Sequence, residues 1–268
     1  MTLEAISLAS GSSGNAILVR EGPTAILIDA GVGIRKLTAA LRYFGTDPSE
    51  LSAILITHEH ADHIKGAVRT ARRFGVPLVA NAATLEAIDG ACKVPVRVLD
   101  IGKHICFDGL EVRSFEVSHD AACPVGYTIS SVSGSITSVT DTGLLSDEIC
   151  AEAADADLLI LESNYDDEML SDGPYPHFLK WRIRSQLGHL SNDAAATLIV
   201  DLAESGKNPS VWLAHLSQVN NSPAIALASA QHLLWACSDV PMDIAVAQRD
   251  IPSLRWVCSN SRRQFSSP

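Results

Sequence analysis

Three histidines and an aspartate stand within six residues in the run Thr57-His58-Glu59-His60-Ala61-Asp62-His63. His58 and His60 are two apart in what reads as an extended loop, so their rings project to one side. Two imidazoles converging on one ion is a usual transition-metal arrangement. Asp62 and His63 open the next predicted helix and face a second ion. Three further candidates share one property with His58, which is that each stands just past an apolar strand. His58 follows 54–57, His119 follows 115–118, Asp141 follows 136–140 and His215 follows 211–214. Strand ends are where rigid scaffolds present functional groups. Alone, His119 or His215 reads as an ordinary loop histidine; in the company of the cluster each reads as a ligand.

His189 differs from these. It follows the polar stretch from Lys180 to Gly188 and precedes a helix instead of ending a strand, which places it outside the ligand set. The segment 176–188 carries Lys180, Arg182 and Arg184 with no acid, directly after an acidic segment, 143–173, that has no Lys or Arg. That switch of charge reads as a phosphate-facing patch. On a strand or in a loop, alternate positions would aim all three cations the same way, whereas on a helix they would spread. The competing interpretation is a solvated charged face, which is also how Arg69, Arg72 and Arg73 read on the helix after the ligand loop.

The motif His58-x-His60-x-Asp62-His63, followed by His119, Asp141 and His215, resembles the metallo-β-lactamase superfamily over nearly the whole chain. The resemblance implies an α/β fold, an αββα sandwich of two mixed sheets with outer helices and a binuclear site at one edge. It implies that His58, His60 and His119 hold one ion, that Asp62, His63 and His215 hold the other, and that Asp141 bridges them. It also implies that Asp29 supports the ligand loop without touching metal. β-Lactamases of this fold usually carry cysteine where Asp141 stands, so lactam hydrolysis is disfavoured.

A narrower similarity rests on 11–15 (Gly-Ser-Ser-Gly-Asn), 162–166 (Glu-Ser-Asn-Tyr-Asp), 173–176, 188–192 and 214–217. It points to the YycJ/WalJ-like branch, related to RNase Z and to the cyclic phosphodiesterase PhnP, whose members are thought to act on phosphodiesters, with DNA exonuclease activity proposed. By resemblance to RNase Z, Glu162 pairs with His189, which then serves as general acid toward the leaving oxygen. Asp62, besides its ligand role, is counted with these two among the catalytic residues. The expected function is therefore a binuclear metal-dependent phosphodiesterase or nuclease, with DNA or RNA as substrate. The alternatives are a small-molecule cyclic phosphodiesterase, a glyoxalase-type thioester hydrolase and a non-catalytic metal-binding module. The sequence leaves Zn²⁺ or Mn²⁺ open for the two divalent ions, and leaves the oligomeric state open too.

These residues need elements to hold them. Apolar runs predict strands at 5–9, 16–20, 25–28, 53–56 and 76–80, then at 97–99, 104–107, 111–117, 127–132, 135–140, 158–162 and 211–214. Helices are expected over 34–44, 62–74, 84–88, 192–204 and 223–237, with Ser191 as N-cap of the fourth. The 268 residues are 47% hydrophobic and read as one domain over 1–268, with a disordered tail from about 259. A formal net charge of −11 repels polyanions at long range, so no broad basic groove is expected. Six cysteines without a C-x-x-C pair read as reduced thiols, mostly buried. No apolar run is long enough to span a membrane and the N-terminus shows no secretory signal, so a cytoplasmic location is expected.

Overall fold

The computed structural model describes residues 2–258, and the expected tail at 259–268 lies outside them. The first half runs β1 (Leu3–Ala9), β2 (Ala16–Glu21), β3 (Thr24–Ile28), α1 (Ile34–Tyr43), β4 (Leu51–Leu55), α2 (Ala61–Ile64), α3 (Ala67–Phe74), β5 (Leu78–Ala80), α4 (Ala82–Ala87) and β6 (Val96–Val98). The second half runs β7 (His104–Phe107), β8 (Leu110–Glu116), β9 (Val125–Ser130), β10 (Ser135–Val139), α5 (Asp147–Ala154), β11 (Leu158–Glu162), α6 (Asp167–Asp172), α7 (His177–Arg184), α8 (Asn192–Glu204), β12 (Ser210–Ala214), α9 (Pro223–Cys237), β13 (Ile244–Val246) and β14 (Arg255–Val257).

Two seven-stranded sheets result, ordered β14-β1-β2-β3-β4-β5-β6 and β13-β12-β11-β10-β9-β8-β7. Each is antiparallel on one side and parallel on the other, with the change at β3 in the first sheet and at β10 in the second. The parallel strands β3, β4, β11 and β12 are mostly apolar and almost wholly buried because both faces are covered. Strand β8 alternates buried and exposed residues along most of its length, as expected with one face covered. The inner faces meet in a shared core that includes Ile26, Leu55 and Val79 from one sheet and Tyr127, Ile160 and Trp212 from the other. Helices α1 and α3 cover the outside of the first sheet, and α5, α8 and α9 the outside of the second. This is the expected αββα sandwich.

Several elements depart from the sequence reading. The helix expected over 62–74 is two, because the Gly66 N–H donates to Ala30 O at 2.7 Å, and a Cβ on Gly66 would lie 2.3 Å from Val32 O. Helix α7 occupies a segment whose strand, loop or helix character the sequence leaves open. The three-residue edge strands β13 and β14 carry no pattern of their own and exist through pairing with β12 and β1. All six cysteines are free, but Cys92, Cys106 and Cys237 are exposed, contrary to the expected burial. They sit on a short turn, an edge strand and a helix end, positions that face solvent. No helix among the described residues is long and apolar enough to cross a membrane.

Candidate metal centre

The expected ligands arrive at one edge of the sandwich from the ends of four strands. His58 and His60 follow β4, with Asp62 and His63 on α2; His119 follows β8, Asp141 follows β10 and His215 follows β12. Three of the site residues, Asp29 (φ 58°), Asp141 (φ 58°) and His215 (φ 55°), adopt the left-handed conformation. This region is costly for most side chains but tolerated by Asp and His, and such strain persists only where surroundings impose it. Here it turns the chain sharply at the ends of β3, β10 and β12.

The histidines are oriented from behind. His58 Nδ1 donates to Thr57 Oγ1 (3.0 Å), His63 Nδ1 to Asp29 Oδ2 (2.7 Å) and His119 Nδ1 to Gly188 O (2.9 Å). His215 Nδ1 donates to Glu162 Oε1 (2.9 Å). With those nitrogens committed, each Nε2 carries its lone pair toward the centre. His60 instead presents Nδ1, which lies 3.3 Å from His119 Nε2. Candidate ligand atoms of His58, His60 and His119 lie within 4.8 Å of one another, as do those of Asp62, His63 and His215. Asp141 stands between the two groups, with Oδ2 3.1 Å from His63 Nε2 and Oδ1 3.3 Å from His215 Nδ1 and 3.7 Å from His119 Nε2.

This arrangement fits metal. His58 Nε2 and Asp141 Oδ2 are buried without a hydrogen-bond partner, and such orphaned atoms are expensive unless an ion satisfies them. Burial, helped by neighbouring histidines, holds His58 and His119 below the ordinary histidine pKa, which keeps their lone pairs available. Burial also disfavours the charged form of His63, but Asp29 and Asp141 outweigh it and raise that pKa to about 10. A site whose carboxylates pull this hard on a proton equally favours a cation in its place.

Asp29 lies where the sequence placed it. Its Oδ1 accepts from Thr57 N (2.9 Å) while Oδ2 takes His63, so one carboxylate fixes both the start of the ligand loop and a ligand ring. Glu162, fully buried at the end of β11, is spent as an anchor. Its Oε1 accepts from His189 Nδ1 (2.8 Å) as well as from His215, and its Oε2 accepts from Thr142 N (2.8 Å) and Leu190 N (3.2 Å). With four donors upon it, Glu162 has no lone pair to offer an ion. His189 therefore points Nε2 away from Glu162. Burial lowers its pKa, but the carboxylate overcomes that and raises it above the ordinary histidine value. His189 shares with His60, Asp62, His119, Asp141 and His215 a pocket of about 270 Å³.

The basic segment does not form one shared phosphate-facing patch. On α7 the three side chains diverge. Arg182 reaches the pocket and pairs with Asp120, Arg184 pairs with Asp167, and Lys180 donates to Ser171 O at 2.6 Å. Sequence reasoning also missed the supports. Glu59 Oε1 accepts from Ala122 N (2.8 Å), tying the ligand loop to the loop that carries His119. Asn164 Nδ2 donates to His215 O (2.8 Å). Asn15 Oδ1 accepts from Gly11 N (2.8 Å), which aims Nδ2 at His63 Nε2 (3.0 Å). Only the short Gly-Ser-Ser-Gly-Asn run hinted at the last of these.

A family model described as a Beta-lactamase superfamily domain matches residues 24–215. The chain belongs to that superfamily. Within it, the chain is 39% identical over 247 residues to the protein called Exodeoxyribonuclease WalJ of Streptococcus pneumoniae serotype 2, a match covering 89% of this chain and 91% of that one. It is 36% identical over 231 residues to Exodeoxyribonuclease YycJ of Bacillus anthracis, covering 85% of this chain and 87% of that relative. In structure it is similar to the metallo-β-lactamase fold protein YhfI from Bacillus subtilis, with a TM-score of 0.71 at 15% identity, covering 96% of this chain and 100% of that one. That likeness shows the superfamily fold.

Proposed function

We propose that this chain is a binuclear metal-dependent phosphodiesterase that removes nucleotides from DNA ends, as its curated relatives are named for doing. One observation carries the reading beyond the metal motif. Glu162 holds His215 and His189 on a single oxygen, so a candidate ligand and a proton donor are locked side by side. A thioester hydrolase needs no such donor, because a thiolate leaves readily, whereas an alkoxide leaving from phosphorus gains from protonation.

His58, His60 and His119 would hold one divalent ion, Asp62, His63 and His215 the other, and the buried Asp141 carboxylate reaches both groups. When bound, the ions supply Lewis acidity and a water of lowered pKa. The rest of the work falls to the chain. Asp29, Thr57, Gly188 and Glu162 fix the imidazole tautomers. Glu162 holds His189 Nδ1 and favours its protonated form, so that Nε2–H can donate to the leaving oxygen in the pocket. Arg182, already turned toward that pocket by Asp120, supplies positive charge to the substrate phosphate. Lys180 and Arg184 serve to fasten α7 to the preceding segment.

The test is a substrate panel with protein loaded with Zn²⁺ or Mn²⁺: bis-p-nitrophenyl phosphate, a glutathione thioester and end-labelled DNA. Turnover of both phosphodiesters with the thioester untouched is expected. Preferential thioester turnover would make the chain a glyoxalase-type enzyme instead.

A further inference from the structure

Beside the metal pocket lies a groove of about 900 Å³, and Ser12 and Asp62 line both, so the two adjoin there. Four exposed cations line it: Lys65, Arg69, Arg72 and Lys93. The first three are four and three residues apart. Arg69 and Arg72 are neighbours on one face of α3, and Lys65, in the turn between α2 and α3, lines the same groove. Like charges stacked in this way cost stability, and none of the four forms an ion pair among the described residues, in contrast to Arg20, Arg42, Arg113, Arg182, Arg184 and Arg255. Three acids line the groove as well: Glu59, whose Oε1 accepts from Ala122 N, Asp62 of the metal cluster, and Asp89. The groove carries no aromatic side chain; its apolar part is Ile64, Val68 and Ile88.

We propose that this groove is the track for the substrate strand, in which Lys65, Arg69, Arg72 and Lys93 bind successive phosphates of a DNA chain whose end lies in the metal pocket. A row of unpaired cations suits a polyanion with charges repeated along a line better than it suits a single small phosphate. The absence of aromatics means that bases are not stacked here and that the strand is held by its backbone, without sequence preference. In a chain of net charge −11 such a row is a local exception, and it leads to the centre. The proposal rests on the nuclease reading and adds to it where the strand runs.

The test compares wild type with the fourfold variant Lys65→Gln, Arg69→Gln, Arg72→Gln, Lys93→Gln, both metal-loaded, on an end-labelled single-stranded oligonucleotide across a salt series. KM for the variant should rise about tenfold or more at low salt with kcat little changed. The slope of log KM against log salt should flatten by about 2 to 3, since each lost phosphate contact removes about 0.7. Neutralising Lys103 and Lys207, which lie outside the groove, should leave both quantities at wild-type values. If wild type cleaves the oligonucleotide and the fourfold variant matches its KM and salt slope, the track is elsewhere while the nuclease reading stands. If wild type neither binds nor cleaves it, the nuclease reading fails and the track with it. A thermal melt checks that the variant is folded. Should it not be, Arg69→Gln and Arg72→Gln singly are each expected to flatten the slope by about 0.7, and an unchanged slope in both overturns the proposal.

Discussion

At the scale of single residues the site divides labour between histidines of identical chemistry. His58 and His119 are buried and pushed toward neutrality, whereas His189, beside Glu162, is pushed toward charge. Replacing His189 with Ala should therefore keep the metals and slow cleavage of poor leaving groups by about 10²–10⁴-fold. Cleavage of a p-nitrophenyl diester, whose leaving group needs little protonation, should change far less. Metal content and the two rates check this, and loss of an ion from His189→Ala would reverse the roles given to His189 and His215. Asp141 reaches both ligand groups, so Asp141→Ala should weaken both ions, while His119→Ala should first weaken one. Titration of each apo variant with metal distinguishes the two cases, and a selective single loss from Asp141→Ala would contradict a bridging carboxylate. The candidate ligands were legible because five of the seven are histidines, grouped at spacings and strand ends that mean little otherwise. Thr57, Glu59 and Asn164 were not legible, since their roles depend on contacts from other strands.

At the scale of elements, close approach of backbones sets the ligand loop. A Cβ on Gly31 would lie 1.6 Å from Asp62 O, so Gly31→Ala must displace the start of α2. Metal affinity should fall by about 10–100-fold, as when ligand supports are removed elsewhere; wild-type affinity in that variant would show that the loop tolerates displacement. A second device joins three strands. Glu4 on β1, 6% exposed, accepts from Arg20 on β2 and from Arg255 on β14. Burial raises the Glu4 pKa, but the two guanidiniums overcome this and hold it below the ordinary carboxylate value. A depressed folded pKa contributes stability above the unfolded pKa and loses it as pH falls through the folded one. Glu4→Gln should thus be destabilised at pH 7 by about 1–3 kcal/mol, with Arg20 contributing more than the solvent-screened Arg255. The gap from wild type should narrow as pH falls below the ordinary glutamate range, and urea melts at neutral and acid pH that gave an equal gap would refute the ion pairs as its source. Strand runs and the Ser191 cap were readable from the sequence because burial and capping are local. The break at Gly66 and the turn of 177–184 into α7 were not, because both depend on what packs alongside.

At the scale of the whole molecule, each sheet passes from antiparallel to parallel pairing, and the centre lies along the edge where β4, β8, β10, β11 and β12 end. That edge concentrates Asp29, Asp62, Asp141 and Glu162 in a protein already at −11, a local field that favours cations over the phosphodiester. On the proposed reading, two divalent ions would reverse that local field, adding about four positive charges at one spot. The sandwich was legible from alternating strands and helices. The acidic composition hid the local row of cations beside the site, because a net charge says nothing of where charges fall. The most direct measurement is a time course of nucleotide release from duplex DNA labelled at one end or the other, with metal-stripped protein reconstituted with Mn²⁺ or Zn²⁺. Metal-dependent, stepwise release of mononucleotides from one end is expected, together with two ions bound per chain at saturation. Cleavage at internal positions from the outset, or equal activity in the metal-stripped protein, would contradict a metal-dependent exonuclease.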